Sequence, residues 1–188
     1  TRFPGKPLTD LMGKTMIRRV YEQASKSRAL HKVVVATDDE RIRDEVRSFG
    51  GAVAMTDTNH PSGTDRCLEA LLLQEERYDY VINIQGDEPF IDPAQIDLLA
   101  GLLDGNTELA TLILPVKEQE VLFDESKVKV VLNHNMEALY FSRTAIPWLR
   151  GLPQQEWLKH HDYFRHVGIY AYRADILRQI TTLPVSSL

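Results

Sequence analysis

Three polar segments of the chain each follow an apolar run that has the composition of a buried strand. They are Thr37-Asp38, the stretch from Asn59 to Arg66, and Gln85-Gly86-Asp87. In an open parallel sheet, ligands bind outside the carboxyl ends of the strands. The sequence therefore predicts that side chains from these distant segments meet around one ligand at one edge of a sheet.

Asp87 is the candidate metal ligand and catalytic carboxylate. It directly follows an apolar strand, and Gly86 before it lets a ligand approach the backbone closely. One carboxylate in this position suits Mg²⁺, which takes one or two protein oxygens and completes its shell with water and substrate phosphate. The alternative is that Asp87 only caps the turn before Pro89, a common role for an isolated Gly-Asp pair.

Two cations, Arg2 and Lys6, flank a Pro-Gly turn near the start of the chain. Prolines stiffen this turn, so the charges are held with little loss of entropy, which favours phosphate binding. The GxxxxGK[ST] pattern of a P-loop is absent from the sequence. The spacing alone is equally compatible with a surface turn whose charges are solvated.

Ser62, Gly63 and Arg66 form a second candidate binding segment. Ser62 is the expected N-cap of a helix, and the first backbone N–H groups of a helix can bind an anion. The hydroxyls of the segment and the Arg66 guanidinium add donors for an anion or a base edge. An ordinary capped helix with a surface arginine is the alternative.

Three residues in the second half of the chain are candidates for a further substrate. Arg143 ends a predicted strand, and its guanidinium can hold a carboxylate through two hydrogen bonds. His166 and Tyr170 lie four residues apart on another predicted strand, hence on one face, and Gly168 between them leaves room above the sheet. The alternative is a partly buried histidine and a packed tyrosine.

The elements that must position these residues alternate between helix and strand, which predicts an α/β fold. Helical spacing is expected at 15–28, 39–48, 62–76, 93–103 and 174–181. Apolar, β-branched runs predict strands at 32–38, 52–56, 80–85, 109–116, 128–132, 138–142 and 167–172. We expect a single domain over residues 1–188 with a mostly parallel sheet, and a β-rich insert at about 126–172 that covers a pocket or pairs subunits.

Composition excludes several classes of protein. The net charge of −5, without a block of Lys or Arg, gives little electrostatic support for binding nucleic acid. A single cysteine, Cys67, excludes an internal disulfide and suits a reducing compartment. No signal peptide or membrane span is visible, so we expect a cytoplasmic protein. We also expect the sequence to lack segments at both ends, because it opens in mid-loop and stops without a capping element.

Seven segments of the chain, taken in order, resemble the CMP-KDO synthetases (3-deoxy-manno-octulosonate cytidylyltransferases). They are Arg2 to Leu8, Val34 to Asp38, His60 to Arg66, Asn83 to Pro89, Val128 to Leu132, Ala138 to Trp148 and Arg165 to Arg173. Each segment alone is weakly specific, whereas seven in the family's order over nearly the whole chain are highly specific.

The resemblance implies a Rossmann-like nucleotide-binding fold, a Mg²⁺ cofactor, a homodimer, and transfer of CMP from CTP to the acid sugar KDO for lipopolysaccharide biosynthesis. Carried over by position, Arg2 and Lys6 face the triphosphate, and Lys6 and Asp87 are catalytic. The other implied roles are cytidine binding by Gln85 and by Ser62, Gly63 and Arg66, metal binding by Asp87, and sugar binding by Arg143, His166 and Tyr170. The family's first strand and its C-terminal region, with a second metal-binding Asp, have no counterpart in this sequence.

Two other functions remain open on the sequence alone. One is a cytidylyltransferase for a different acid sugar, such as a sialic acid, which would share the chemistry and differ after about residue 126. The other is a non-catalytic nucleotide-binding module. A Rossmann dehydrogenase is disfavoured, because no G-x-G-x-x-G pattern follows any predicted strand.

Overall fold

The structure, a computed structural model, describes residues 5–184, which divide into two compact units. The first unit comprises residues 5–110 and 169–184, and the second comprises Thr111–Gly168. No helix in the described part of the chain is long and apolar enough to cross a membrane.

Seven strands and seven α-helices lie within the described residues. The strands are β1 (Val35–Thr37), β2 (Val53–Met55), β3 (Tyr80–Asn83), β4 (Leu109–Pro115), β5 (Lys129–Leu132), β6 (Ala138–Ser142) and β7 (Phe164–Arg173). The helices are α1 (Met16–Ala24), α2 (Glu40–Ser48), α3 (Gly63–Leu72), α4 (Pro93–Ala100), α5 (Gln119–Phe123), α6 (Trp157–His160) and α7 (Ala174–Ile180). Every predicted strand and helix is present. The short helices α5 and α6 were not predicted, and neither were the single 3₁₀ turns at Lys6–Leu8 and Gln154–Glu156.

The first unit contains one parallel and one antiparallel strand pair. β1 pairs with β2 in parallel, with Val35 opposite Val53. β3 pairs with the second half of β7 in the antiparallel sense, from Tyr80 opposite Arg173 to Asn83 opposite Tyr170. The two pairs belong to different sheets: β1 and β2 form a parallel two-stranded sheet, and β3 and β7 belong to a five-stranded sheet. The sequence predicted mostly parallel pairing, so the antiparallel pairing of β3 with β7 is a correction. The difference arises because β7 returns beside β3 in the reverse direction, and an apolar run does not reveal the direction of its neighbour.

The second unit is built on a hairpin and a small aromatic core. β5 and β6 are antiparallel, and β5 also pairs with the first half of β7. Trp157 is fully buried in a cluster with Leu122 and Tyr163. The polar atoms of both rings are satisfied, because Trp157 Nε1 donates to the Leu152 carbonyl at 3.1 Å and Tyr163 Oη donates to the Pro147 carbonyl at 2.7 Å.

Helix starts in the first unit are fixed by side-chain caps. Ser62 Oγ accepts hydrogen bonds from the backbone N–H groups of Thr64 and Asp65 at 3.2 and 3.3 Å, which confirms Ser62 as the N-cap of α3. Asp39 caps α2 in the same way, through the N–H of Arg41. These caps place the first turns of α2 and α3 directly after the loops that follow β1 and β2.

Candidate functional site

Lys6 and Asp87 come into direct contact although 81 residues separate them in the sequence. Lys6 Nζ donates to Asp87 Oδ2 at 2.6 Å, and each side chain is 47% exposed. Gly5 has a φ of 74°, a left-handed conformation that glycine adopts without strain, and this turn leads into the 3₁₀ helix that carries Lys6. An ion pair this exposed contributes less than about 1 kcal/mol, so a charged ligand can separate it at little cost.

The Asp87 carboxylate is an oxygen ligand of the type that Mg²⁺ prefers. Within residues 5–184, no group of three or more His, Cys, Asp or Glu side chains is arranged to hold a metal ion. A metal at Asp87 would therefore draw most of its ligands from water and from a bound phosphate. Mg²⁺ prefers this arrangement, with oxygen ligands of which only one or two come from the protein.

Arg66 ties together the carboxyl ends of β1 and β2. Its Nη1 donates to Thr56 Oγ1 at 2.5 Å, just after β2, and its Nη2 lies 3.3 Å from Asp38 Oδ2, just after β1. The Arg66 side chain is 21% exposed, so these contacts are partly shielded from water. Two of the predicted polar segments, those of Asp38 and Arg66, therefore meet, whereas Thr56 had been given no role.

A cavity of about 940 Å³ lies in the first unit, within the size range typical of small-molecule sites. Three of the predicted nucleotide-binding residues, Gly63, Arg66 and Gln85, line it. Most of the remaining lining is apolar and includes Ile17 and Val20 of α1, residues 33–36 and residues 81–82. The lining also includes the charged residues Lys32, Glu76, Arg77 and Asp79.

Cys67 also lines this cavity, one residue after Arg66. Burial raises the pKa of its thiol to about 11. The thiol is therefore protonated at neutral pH and is not a nucleophile.

Arg143 and His166 lie in the second unit. Arg143 is exposed, and its Nη1 donates to the Glu125 carbonyl at 3.1 Å. His166 Nε2 is 2.9 Å from Thr111 Oγ1, and the imidazole stands edge-on to Phe141 with ring centroids 5.2 Å apart. Burial lowers the pKa of His166 from its ordinary value of 6.5, so the ring is neutral at pH 7.

Tyr170 lies further along β7, in the first unit, and is stacked on Tyr172 with ring centroids 6.0 Å apart. Burial raises the pKa of both phenols, which are therefore un-ionised. Tyr172 Oη lies 3.4 Å from Thr64 Oγ1 in the first turn of α3. This contact links β7 to the segment predicted to bind nucleotide. Arg2 lies outside the described residues.

The residues that the sequence analysis missed carried weak signals. Thr56 stands at the end of a predicted strand and could have been paired with a nearby arginine. Tyr172 follows Tyr170 at the strand period of two, but nothing in the sequence gives its partner Thr64.

Comparison with known proteins identifies the family of the chain. Residues 1–188 match the family described as Cytidylyltransferase. The chain is 53% identical to a 3-deoxy-manno-octulosonate cytidylyltransferase of Cytophaga hutchinsonii and 52% identical to that of Parabacteroides distasonis, over its whole length and 76% of each relative. The chain belongs to the 3-deoxy-manno-octulosonate cytidylyltransferase family.

A solved structure supports the cytidylyltransferase assignment. It is a CMP:2-keto-3-deoxy-manno-octonic acid synthetase complexed with CTP, and it matches with a TM-score of 0.88 and 43% identity over 98% of this chain and 74% of that one. The family resemblance and the Rossmann-like α/β fold class predicted from the sequence are thereby confirmed.

The pH dependence of stability tests the environment of His166. Because its pKa is lowered in the folded state, the unfolded chain binds more protons between that lowered value and 6.5. The contribution of His166 is therefore complete above pH ~6.5 and is lost as the pH falls below it. We expect His166→Asn to reduce the loss of stability between pH ~7.5 and ~5.5, measured by urea denaturation.

The matched control is His134→Asn, since His134 is exposed. This variant should lose as much stability as the parent chain over the same pH interval. An unchanged pH dependence in His166→Asn would show that the imidazole is not held neutral by burial.

Proposed function

We propose that this chain transfers CMP from CTP to KDO, giving CMP-KDO and pyrophosphate, in lipopolysaccharide biosynthesis. The observation that carries the proposal is the match over 98% of the chain to a CMP-KDO synthetase solved with CTP. The relatives named as 3-deoxy-manno-octulosonate cytidylyltransferases support the same acceptor sugar. In the first unit, Gly63, Arg66 and Gln85 line one cavity, which supports a shared ligand for these three residues.

In this proposal, the nucleotide is bound by the first unit. Arg2 and Lys6 face the triphosphate, and Gln85 with Ser62, Gly63 and Arg66 holds the cytidine. The exposed Lys6 ammonium supports this role, because its present partner Asp87 is held by a weak, solvated ion pair. A triphosphate offers Lys6 several anionic oxygens in place of one carboxylate, which favours exchange of partners.

Asp87 is the proposed Mg²⁺ ligand, and the ion when bound would neutralise phosphate charge and make the attacking hydroxyl more nucleophilic. The sugar hydroxyl attacks the α-phosphorus in line, so the new oxygen–phosphorus bond forms as the bond to pyrophosphate breaks. No protein nucleophile is required, which agrees with the protonated thiol of Cys67. The side chains of the chain act by orienting substrates and stabilising charge, with Lys6 as the principal cation at the phosphates.

Arg143, His166 and Tyr170 are the proposed KDO-binding residues. The exposed guanidinium of Arg143 is held on one side by the Glu125 carbonyl, and its other N–H groups suit the planar KDO carboxylate. His166 and Tyr170 are uncharged at neutral pH, so they can bind sugar hydroxyls without bringing a second charge to the site.

We further propose a cytoplasmic homodimer. The strand β6 supports a dimer contact, because among the described strands it pairs only with β5. It also exposes three apolar side chains, Leu139, Tyr140 and Phe141, by 63%, 50% and 41%. Exposed apolar strand edges of this kind readily pair with another chain.

Light scattering should give about twice the chain mass of 21.5 kDa, and a value near the single mass would rule the dimer out.

The acceptor sugar is tested by pyrophosphate release from CTP with KDO or with a sialic acid, side by side. We expect release with KDO at a kcat/KM at least ~100-fold above that with sialic acid, because the site must complement one sugar. Preference for sialic acid would identify a different cytidylyltransferase. Binding of CTP without release with either sugar would identify a non-catalytic module.

The role of Asp87 is tested by Asp87→Asn, which preserves size and removes the charge that a metal requires. We expect turnover at saturating CTP and KDO to fall by roughly 100-fold or more, with the unfolding midpoint nearly unchanged because the ion pair with Lys6 is exposed. Glu88→Gln is the control, since it removes an exposed carboxylate one residue away. Near-normal turnover of Asp87→Asn at saturating Mg²⁺ would exclude Asp87 as the metal ligand.

A further inference from the structure

Lys129 is a fully buried lysine at the start of the strand β5. Its relative exposure is 0%, and its neighbour Val130 is also buried. Lysine is seldom buried unless its ammonium has partners, because desolvation of the charge is costly. Here burial lowers the pKa of Lys129, while the nearby carboxylates of Asp124 and Glu125 act in the opposite direction.

The ammonium group of Lys129 is used to shape a turn. Its Nζ donates to the Asp124 carbonyl at 2.8 Å and to the Lys127 carbonyl at 2.6 Å. The same turn is closed by a backbone hydrogen bond from Lys127 N to the Asp124 carbonyl at 3.0 Å. The Asp124 carboxylate in addition accepts hydrogen bonds from the backbone N–H and the hydroxyl of Ser126, each at 2.8 Å. Residues 124–127 are therefore held in one conformation from both sides.

The same turn also binds the side chain of Arg143. Glu125 belongs to the same four-residue turn. Its carbonyl accepts a hydrogen bond from Arg143 Nη1 at 3.1 Å. Strand pairing brings the two cations together, because Lys129 lies opposite Ser142, the residue before Arg143. One cation is buried and bound to backbone, and the other is exposed and partly available to a ligand.

We propose that Lys129 is a positioning residue that orients Arg143 toward the carboxylate of the acid sugar. The inference rests on the proposed function, in which Arg143 binds KDO. Lys129 fixes the 124–127 turn, the Glu125 carbonyl of that turn fixes the guanidinium, and the guanidinium is thereby preorganised for two parallel hydrogen bonds to a carboxylate. Without the ammonium, the Asp124 and Lys127 carbonyls would lose a buried donor and the turn would rearrange.

The test compares Lys129→Met and Lys129→Gln with Lys127→Met. Methionine fills the space without a donor, whereas glutamine keeps two neutral N–H donors for the two carbonyls. Lys127→Met removes the same charge from an exposed side chain of the same turn. We expect the KM for KDO to rise at least ~10-fold in Lys129→Met, less in Lys129→Gln and less than ~2-fold in Lys127→Met, with the KM for CTP within ~2-fold in all three.

A double-mutant cycle with Arg143→Ala separates positioning from a general loss of structure. If Lys129 acts through Arg143, Lys129→Met should add less than ~2-fold to the KM for KDO in the Arg143→Ala background. Independent, multiplicative losses would overturn the proposal, and so would equal rises in the KM values for KDO and CTP. If Lys129→Met does not fold, Lys129→Gln is placed in the same cycle with the same criteria.

The cycle also distinguishes this inference from the function on which it rests. If Arg143→Ala leaves the KM for KDO unchanged, the proposed sugar-binding role of Arg143 is wrong, and the positioning role falls with it. If Arg143→Ala raises the KM for KDO and Lys129→Met does not, the sugar site stands and the positioning role of Lys129 is wrong.

Discussion

The contact of the Arg66 guanidinium with Asp38 and Thr56 is the constraint on which the candidate nucleotide site depends. β1 and β2 are only three residues long, so few backbone hydrogen bonds fix where their ends lie. Arg66 fixes the positions of these strand ends, because its guanidinium contacts Asp38 just after β1 and Thr56 just after β2. Because Arg66 lies near the start of α3, these contacts fix the position of that helix relative to both strand ends.

The cations of this chain divide into two kinds by their burial. The side chains of Arg66 and Lys129 are shielded from water and donate hydrogen bonds to protein oxygens, so they fix the conformation of the neighbouring loops. Lys6 and Arg143 are exposed and make one described contact each, so they keep donors for a ligand. This division follows from solvation: a buried charge must be satisfied by the fold, whereas water can satisfy an exposed charge until an anion arrives.

Local features of the fold were predictable because they depend on neighbouring residues. The β-branched runs around Val35, Val53 and Val81 gave strands, and Ser62 gave a helix start, since side-chain shape and capping act within a few residues. Lys6 and Asp87 were assigned to one site only through the family resemblance, because neither the turn at Lys6 nor the strand before Asp87 indicates the other residue. The structure brings their charged atoms to 2.6 Å.

Features that depend on distant partners were beyond prediction. The antiparallel position of β7 beside β3 is decided by the path of the chain through the second unit, which periodicity does not encode. Lys129 reads in sequence as a solvated charge between valines, and its burial depends on carbonyls presented by a turn. The short helices α5 and α6 are too brief to show a helical period, and packing around Trp157 stabilises them instead.

Cys67 makes the chain convenient for thiol-directed chemistry. The thiolate form of cysteine is what attacks alkylating reagents, and a thiol with a pKa of about 11 is less than about 0.1% ionised at neutral pH. A cysteine introduced at an exposed position such as Lys117 would therefore react far faster than the native one. Fluorophores or spin labels can be attached at chosen surface sites while Cys67 is left in place, so distances within the second unit become measurable in solution without further changes to the protein.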